Sequence, residues 1–194
     1  MKAQSSIPMP EIGQLRAELK RVRYRARYAR KLRSTVGMLV VTAAAVILAA
    51  TLWLPVLEIV GASMAPTVEE GDIILCVKDA QAQPGEMISF YVGNRLLVKR
   101  CIAGPGQWVD IDENGLVYVD GVLLEEGYIA DPALGEGDVE LPCQVPEGQL
   151  FCLGDNRAVS VDSRYTAVGC IPQEQIAGKL LLRVWPLTRF GLLE

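Results

Sequence analysis

Histidine is absent from the 194 residues of this chain. Its absence excludes every mechanism that uses imidazole as a base or metal ligand, including Ser-His-Asp triads, Cys-His proteases and HExxH zinc sites. The five cysteines form no CxxC pair and there is no histidine to complete a ligand set, so we expect no zinc site. No cofactor is expected either. Cys76, Cys101 and Cys152 fall inside apolar runs and are expected to be buried thiols, although disulfides stay open for an external domain.

Charge is missing from residues 34–57, and basic residues are concentrated before them. Residues 1–33 hold ten Lys and Arg against two Glu, whereas the rest of the chain holds nine basic and 21 acidic residues. As a helix, the 24 uncharged residues would be about 36 Å long, enough to cross a hydrocarbon core of about 30 Å. We therefore predict a transmembrane helix over residues 34–57; a buried core helix and a cleaved secretory signal are the alternatives.

The position of the basic residues predicts the orientation of this helix. Because cytoplasmic flanks of membrane spans are rich in Lys and Arg, residues 1–33 are predicted to be a basic cytoplasmic tail. Residues 58–194 are then extracytoplasmic, on a single-pass protein of the cell membrane. A basic run could also bind nucleic acid, but contact with anionic lipid explains the same residues, and no nucleic-acid partner is expected.

After residue 57 the pattern changes to short apolar runs separated by Gly, Pro and Asn-Gly. The runs are DIILCV, MISFYV, RLLVKRCIA, QWVDI, LVYV, QLFCLG and KLLLRVW, and each is typical of a strand. Asn114-Gly115 predicts a hairpin turn, and residues 125–149 read as a loop-rich excursion. The fold class predicted is mainly β.

A hydrolase without histidine needs another base, and lysine is one candidate. Lysine acts as a base only when burial lowers its pKa from about 10.4 toward neutrality. After residue 57 the lysines are Lys78, Lys99 and Lys179, and Lys99 ranks first because three apolar residues precede it in a predicted strand. Ser63, flanked by Gly61 and Pro66, is a candidate nucleophile, although serine in that setting is most often an ordinary turn residue.

Three segments carry a resemblance to a known family. Residues 63–67 (SMAPT), 98–106 (VKRCIAGPG) and 154–164 (GDNRAVSVDSR) resemble, in order, the nucleophile, lysine and third motifs of bacterial type I signal peptidases. These are membrane-bound Ser-Lys proteases, of peptidase family S26, that remove signal peptides from exported preproteins. The resemblance covers nearly the whole chain after residue 34 and implies a β-rich catalytic domain on one N-terminal transmembrane helix.

The resemblance also implies roles for individual residues. Ser63 would attack the scissile carbonyl and Lys99, uncharged, would accept its proton. Ser160 would orient the lysine amine, and Asp162 and Arg164 would form an ion pair behind it. The adjoining backbone would be shaped by Gly154, Asp155 and Asn156.

Substrates would be secretory preproteins cut after an Ala-x-Ala-like pattern, which requires shallow apolar pockets. The resemblance places Ile59, Met64, Val68 and Val98 in their walls. In some members of the family a hydroxyl two residues before the nucleophile is a second oxyanion donor. This sequence has Gly61 at that position, which offers no hydroxyl. Two alternatives stay open: a self-cleaving repressor-type Ser-Lys protease, and a catalytically silent anchored binding domain.

Overall fold

The computed structural model describes residues 12–78 and 81–193. The chain divides into two compact units, Met1–Ala49 and Ala50–Glu194. Residues 1–11 of the predicted tail lie outside the described residues.

Helix α1 comprises Ile12–Trp53. Its first half is rich in Arg, Lys, Leu and Ala, which are strong helix formers, and Pro55 follows its end because proline cannot continue a helix. Side chains from residue 12 to residue 48 are exposed, including apolar ones such as Met38 at 74%. Among the described residues, one helix is long and apolar enough to cross a membrane, and it is this one. The predicted tail and span therefore share a continuous helix, and the boundary between residues 33 and 34 stays a prediction.

The second unit is built of short strands. In chain order they are β1 (Val56–Glu58), β2 (Ile73–Val77), β3 (Met87–Val92), β4 (Arg95–Ala103), β5 (Trp108–Ile111), β6 (Val117–Val119), β7 (Val122–Leu123), β8 (Cys143–Gln144), β9 (Gln149–Leu153), β10 (Ile171–Pro172), β11 (Ile176–Trp185) and β12 (Gly191–Leu192). Short 3-10 turns lie at Gln173–Gln175 and Leu187–Arg189. Each predicted apolar run contains one of these strands or, for KLLLRVW, lies within one, which confirms the mainly β fold class.

Within the described residues the larger sheet has eight strands, in the order β1-β2-β11-β3-β4-β9-β10, with β12 paired to β11. Strand β4 pairs with β3 from Arg95 to Arg100, but with β9 only from Arg100 onward. The first half of β4 is therefore left without a strand on one side. Strand β1 pairs with β2 alone and forms the edge of the sheet. Two unpaired strand edges thus belong to the same sheet.

The smaller sheet has the order β7-β6-β5-β8 in the described part of the chain. Its β5–β6 hairpin turns at Asn114-Gly115, as predicted. Asp112 Oδ1 accepts hydrogen bonds from the backbone N–H groups of Asn114 (2.9 Å) and Leu116 (2.8 Å), and Gly115 has φ 81°, a conformation that favours glycine. The predicted hairpin is confirmed.

The loop-rich excursion at residues 125–149 contains β8 and is fixed to the rest of the unit by arginines. The Arg100 guanidinium lies 3.8 Å from the centroid of the Tyr128 ring, and Arg157 forms an ion pair with Glu126. Arg164 Nη1 donates to the Leu134 carbonyl oxygen at 2.6 Å. The excursion is therefore ordered by buried cations and not by a long strand of its own.

All five cysteines lie within the described residues, and all are free thiols. Cys76, Cys101 and Cys152 are fully buried in apolar clusters, which confirms their prediction as core residues. Cys143 and Cys170 are half-buried beside a third cluster.

Candidate active site

Ser63 and Lys99 meet at the unpaired half of β4. Lys99 lies in β4 opposite Ile88, and Ser63 lies in the turn that follows β1. The Nζ of Lys99 is 2.7 Å from the Oγ of Ser63, within hydrogen-bond distance, although 35 residues separate the two in the chain. The two residues that sequence reasoning singled out as nucleophile and base are therefore in contact.

The surroundings of Lys99 favour its uncharged form. The side chain is 3% exposed, and burial is the largest cause that lowers its pKa from 10.5 to about 8. The Asp162 carboxylate acts in the opposite direction and raises the pKa, and Arg164 lowers it. At pH 7 about a tenth of the amines are then neutral, against fewer than about one in a thousand for an ordinary lysine. The site thus supplies a base near neutral pH without imidazole.

The ion pair expected behind the lysine is present. Arg164 holds Asp162 through two hydrogen bonds, Nε to Oδ1 at 2.8 Å and Nη2 to Oδ2 at 2.9 Å, and both side chains are almost fully buried. Asp162 Oδ2 also accepts the Gly154 backbone N–H at 3.0 Å. The pair therefore connects the end of β9 to the segment that carries Ser160.

Ser160 lies close to this centre, but its predicted bond to the lysine amine is not formed. Its side chain is 3% exposed, and its Oγ has no hydrogen-bond partner among the described residues. The hydrogen bond that the Lys99 amine forms with a side chain in the described residues is the one to Ser63 Oγ. An orienting role for Ser160 therefore stays a proposal.

The segment Gly154 to Asn156 supports the backbone of the serine turn. The Asn156 N–H donates to the Ser63 carbonyl oxygen at 3.0 Å. Gly154 sits so close to this turn that a Cβ added to it would overlap Ser160 Oγ and lie 2.5 Å from the Ser63 carbonyl oxygen. Glycine is required here because the two segments approach more closely than a side chain permits.

Sequence reasoning missed a second buried ion pair beside the site. Arg100, the neighbour of Lys99, contacts Asp155 through Nε (3.0 Å) and Nη2 (2.8 Å), and Arg100 Nη1 donates to the Gly85 carbonyl oxygen at 2.6 Å. Arg100 lies in the lysine motif, within a predicted apolar strand, and Asp155 lies in the third motif. A charged residue in an apolar strand indicates a buried partner of opposite charge, so the sequence did contain a signal for this ion pair.

A cavity of about 170 Å³ opens on Ser63 and Lys99. Ile59, Met64 and Val98 line it, as expected. Val68, also expected in the wall, is absent from the lining. It is fully buried, and its backbone N–H bonds to the Met64 carbonyl oxygen at 2.9 Å, so it packs beneath the turn in the core cluster.

A buried Ser-Lys pair, opening on a groove between unpaired strand edges, is the arrangement of the Ser-Lys class of hydrolases. The profile of the family described as "Signal peptidase, peptidase S26" matches residues 32–185. The chain belongs to this family of signal peptidases.

Two relatives by sequence agree with this assignment. "Probable signal peptidase I-1" of Synechocystis is 39% identical over 146 residues, 68% of this chain and 71% of the relative. "Thylakoidal processing peptidase 1, chloroplastic" of Arabidopsis thaliana is 30% identical over 64% of this chain and 40% of its own length. A crystal structure of a signal peptidase I from Enterococcus faecalis, 31% identical, covers 52% of this chain and 97% of its own with a TM-score of 0.43. No finding favours a self-cleaving repressor-type protease or a silent binding domain.

Proposed function

We propose that this serine peptidase removes signal peptides from secretory preproteins with Ser63 as nucleophile and Lys99 as general base. The observation that carries the proposal is the 2.7 Å approach of the Lys99 Nζ to the Ser63 Oγ in a buried site. A neutral amine at this distance can accept the hydroxyl proton as the oxygen attacks.

The reaction has two halves. Ser63 Oγ bonds to the scissile carbonyl carbon while its proton passes to Lys99, and the resulting ammonium then gives that proton to the leaving amine as the peptide bond breaks. Water next attacks the acyl-enzyme, with Lys99 as base again, and releases the signal peptide with a free carboxylate. The backbone N–H of Ser63 is the proposed oxyanion donor, since Gly61 at φ 92° has no side chain to offer.

Recognition of an extended substrate follows from the sheet edges. The first half of β4 and the segment around β1 each leave backbone groups unpaired on the groove side, and a peptide strand can add to such an edge. Ile59, Met64 and Val98 give the groove apolar walls of limited volume. Small side chains of an Ala-x-Ala-like pattern suit that volume.

The N-terminal helix gives this family member a means of membrane attachment. We propose the orientation from charge: a cytoplasmic tail at residues 1–33, a span at 34–57, and the catalytic domain at 58–194 outside. A signal peptide emerging from the bilayer would then meet the groove at the outer surface. One cysteine is added at residue 20 or residue 113 in a chain whose half-buried Cys143 and Cys170 are replaced by serine, and its labelling in intact cells tests the orientation. Labelling from outside at residue 20 contradicts it.

Cleavage of a defined preprotein tests the catalytic assignment. Purified full chain in detergent is expected to cut after the Ala-x-Ala site, and Ser63→Ala and Lys99→Ala are each expected to lower kcat by at least about 1,000-fold. Lys31→Ala, which removes an exposed lysine of α1, is the matched control. Turnover that survives in Ser63→Ala would assign the nucleophile elsewhere.

A further inference from the structure

A second cavity, of about 470 Å³, adjoins the catalytic one. Leu57 and Leu96 line both cavities. The remaining lining residues of the second cavity are Pro55, Lys78, Ser89, Tyr91, Ile176 and Ala177. Neither the catalytic mechanism nor the Ala-x-Ala pockets use this space.

The strand register gives the direction in which the second cavity lies. Leu96 precedes Lys99 by three residues on β4, which is about 10 Å along a strand. Tyr91 pairs with Leu96 across β3 and β4, so the second cavity begins where the catalytic groove ends. A peptide extended parallel to β4 from Ser63 would reach Leu96 with about the fourth residue before the scissile bond.

We propose that this cavity receives the apolar residues of the signal peptide at about the fifth to seventh positions before the scissile bond. The inference rests on the proposed function, because it extends the same substrate groove. In a signal peptide the apolar segment comes shortly before the small-residue cleavage site, so its last residues fall at this distance. The occupant is thus the end of that apolar segment.

The lining matches this occupant. Leu57, Leu96 and Tyr91 present apolar surface, and Tyr91 is 52% exposed although it lies in a central strand. The cation of Lys78 is exposed at the rim. Positive charge there disfavours a basic residue in the subsite and tolerates an acidic one. The cavity would therefore select apolar over acidic and acidic over basic side chains.

A charge-reversal experiment tests the proposal. Three preprotein substrates carry Leu, Glu or Lys at the sixth position before the scissile bond. The full-length enzyme in detergent is expected to cleave them with kcat/KM in that order, with Glu preferred to Lys by about two- to five-fold at low salt. Lys78→Glu is expected to reverse the order of the Glu and Lys substrates. Control substrates carry the same charges ten residues into the mature segment, where Lys78→Glu should change nothing.

A second variant tests the apolar wall. Tyr91→Ala is expected to raise KM for the Leu substrate by about three- to ten-fold with kcat unchanged, because the aromatic contact is made equally in ground and transition states. Trp108→Ala removes an aromatic side chain of similar exposure from the smaller sheet and should leave KM unaltered.

The outcomes separate the two proposals. If no substrate is cleaved, the proposed function fails and the subsite with it. If all substrates are cleaved with the same preference by wild type and Lys78→Glu, the subsite alone is overturned. If Tyr91→Ala weakens binding of the enzyme to lipid vesicles and leaves KM unchanged, the cavity binds lipid instead of the signal peptide, and the proposal is wrong.

Discussion

Replacing the buried lysine should stabilise the protein while removing its activity. Lys99 has its pKa lowered from 10.5 to about 8, chiefly because burial penalises the charged form. A fall of this size corresponds to about 3 kcal/mol of folding free energy. In a Ser63→Ala background, which removes the nucleophile and the hydrogen bond to the serine, Lys99→Met should therefore raise the free energy of unfolding by about 3 kcal/mol at pH 7.

The sign of the pH dependence follows from the same shift. Below about pH 8 the lysine is charged in both the folded and the unfolded chain, so folding bears the full free-energy cost of burying the charge. Between about pH 8 and pH 10.5 the unfolded chain still binds the proton and the folded chain does not, so stability rises with pH. At pH 10 the advantage of Lys99→Met should have shrunk to about 1 kcal/mol.

Urea unfolding of the full chain in detergent, followed by tryptophan fluorescence, measures this difference. Lys78→Met is the control, since an exposed lysine should give a change within about 0.5 kcal/mol at either pH. An equal effect of Lys99→Met at pH 7 and pH 10, or a loss of stability at pH 7, would refute the argument from desolvation.

Three further substitutions test the support of the site. Gly154→Ala should lower the free energy of unfolding by about 1–3 kcal/mol and remove most of the activity, because its Cβ would overlap Ser160 Oγ. Gly104→Ala is the control: its Cβ would meet Gln107 Oε1 at 3.7 Å, so stability and cleavage should be retained in the same assays. Asp162→Asn should lower the free energy of unfolding by about 3–5 kcal/mol, because it leaves the buried Arg164 cation without its carboxylate. The midpoint of the pH–rate profile should also fall below 8, since the Asp162 carboxylate raises the pKa of Lys99. Ser160→Ala should lower kcat by about ten-fold or more without loss of stability, because its hydroxyl has no partner in the described part of the chain; unchanged kcat would remove the orienting role.

Much of the fold could be predicted because its signals are local. MISFYV and RLLVKRCIA are β3 and β4 at their predicted bounds, and Asn114-Gly115 forms the hairpin turn. The order of strands could not be predicted, because β11 lies between β2 and β3 although about 90 residues of chain separate it from β3. Pairings over such distances depend on the whole sheet and leave no local pattern.

Some residues of the candidate site could likewise be predicted from the sequence, and others could not. Ser63 and Lys99 were identifiable because the absence of histidine leaves few bases and because their motifs resemble a family. Because burying an unpaired charge is costly, Arg100 in an apolar strand could have been expected to have a buried acidic partner. The sequence alone could not show that this partner is Asp155. Val68 was misplaced in the wall because a wholly buried valine and a pocket valine look alike in a sequence.

The pH dependence of kcat/KM is the most direct test of whether a buried neutral amine activates Ser63. Cleavage of an Ala-x-Ala preprotein is measured from about pH 6 to about pH 10. We expect kcat/KM to rise ten-fold per pH unit up to a break near pH 8 and to level off above it, with no turnover by Lys99→Arg at any pH. A flat profile, a break near pH 10.5, or substantial turnover by Lys99→Arg would contradict it.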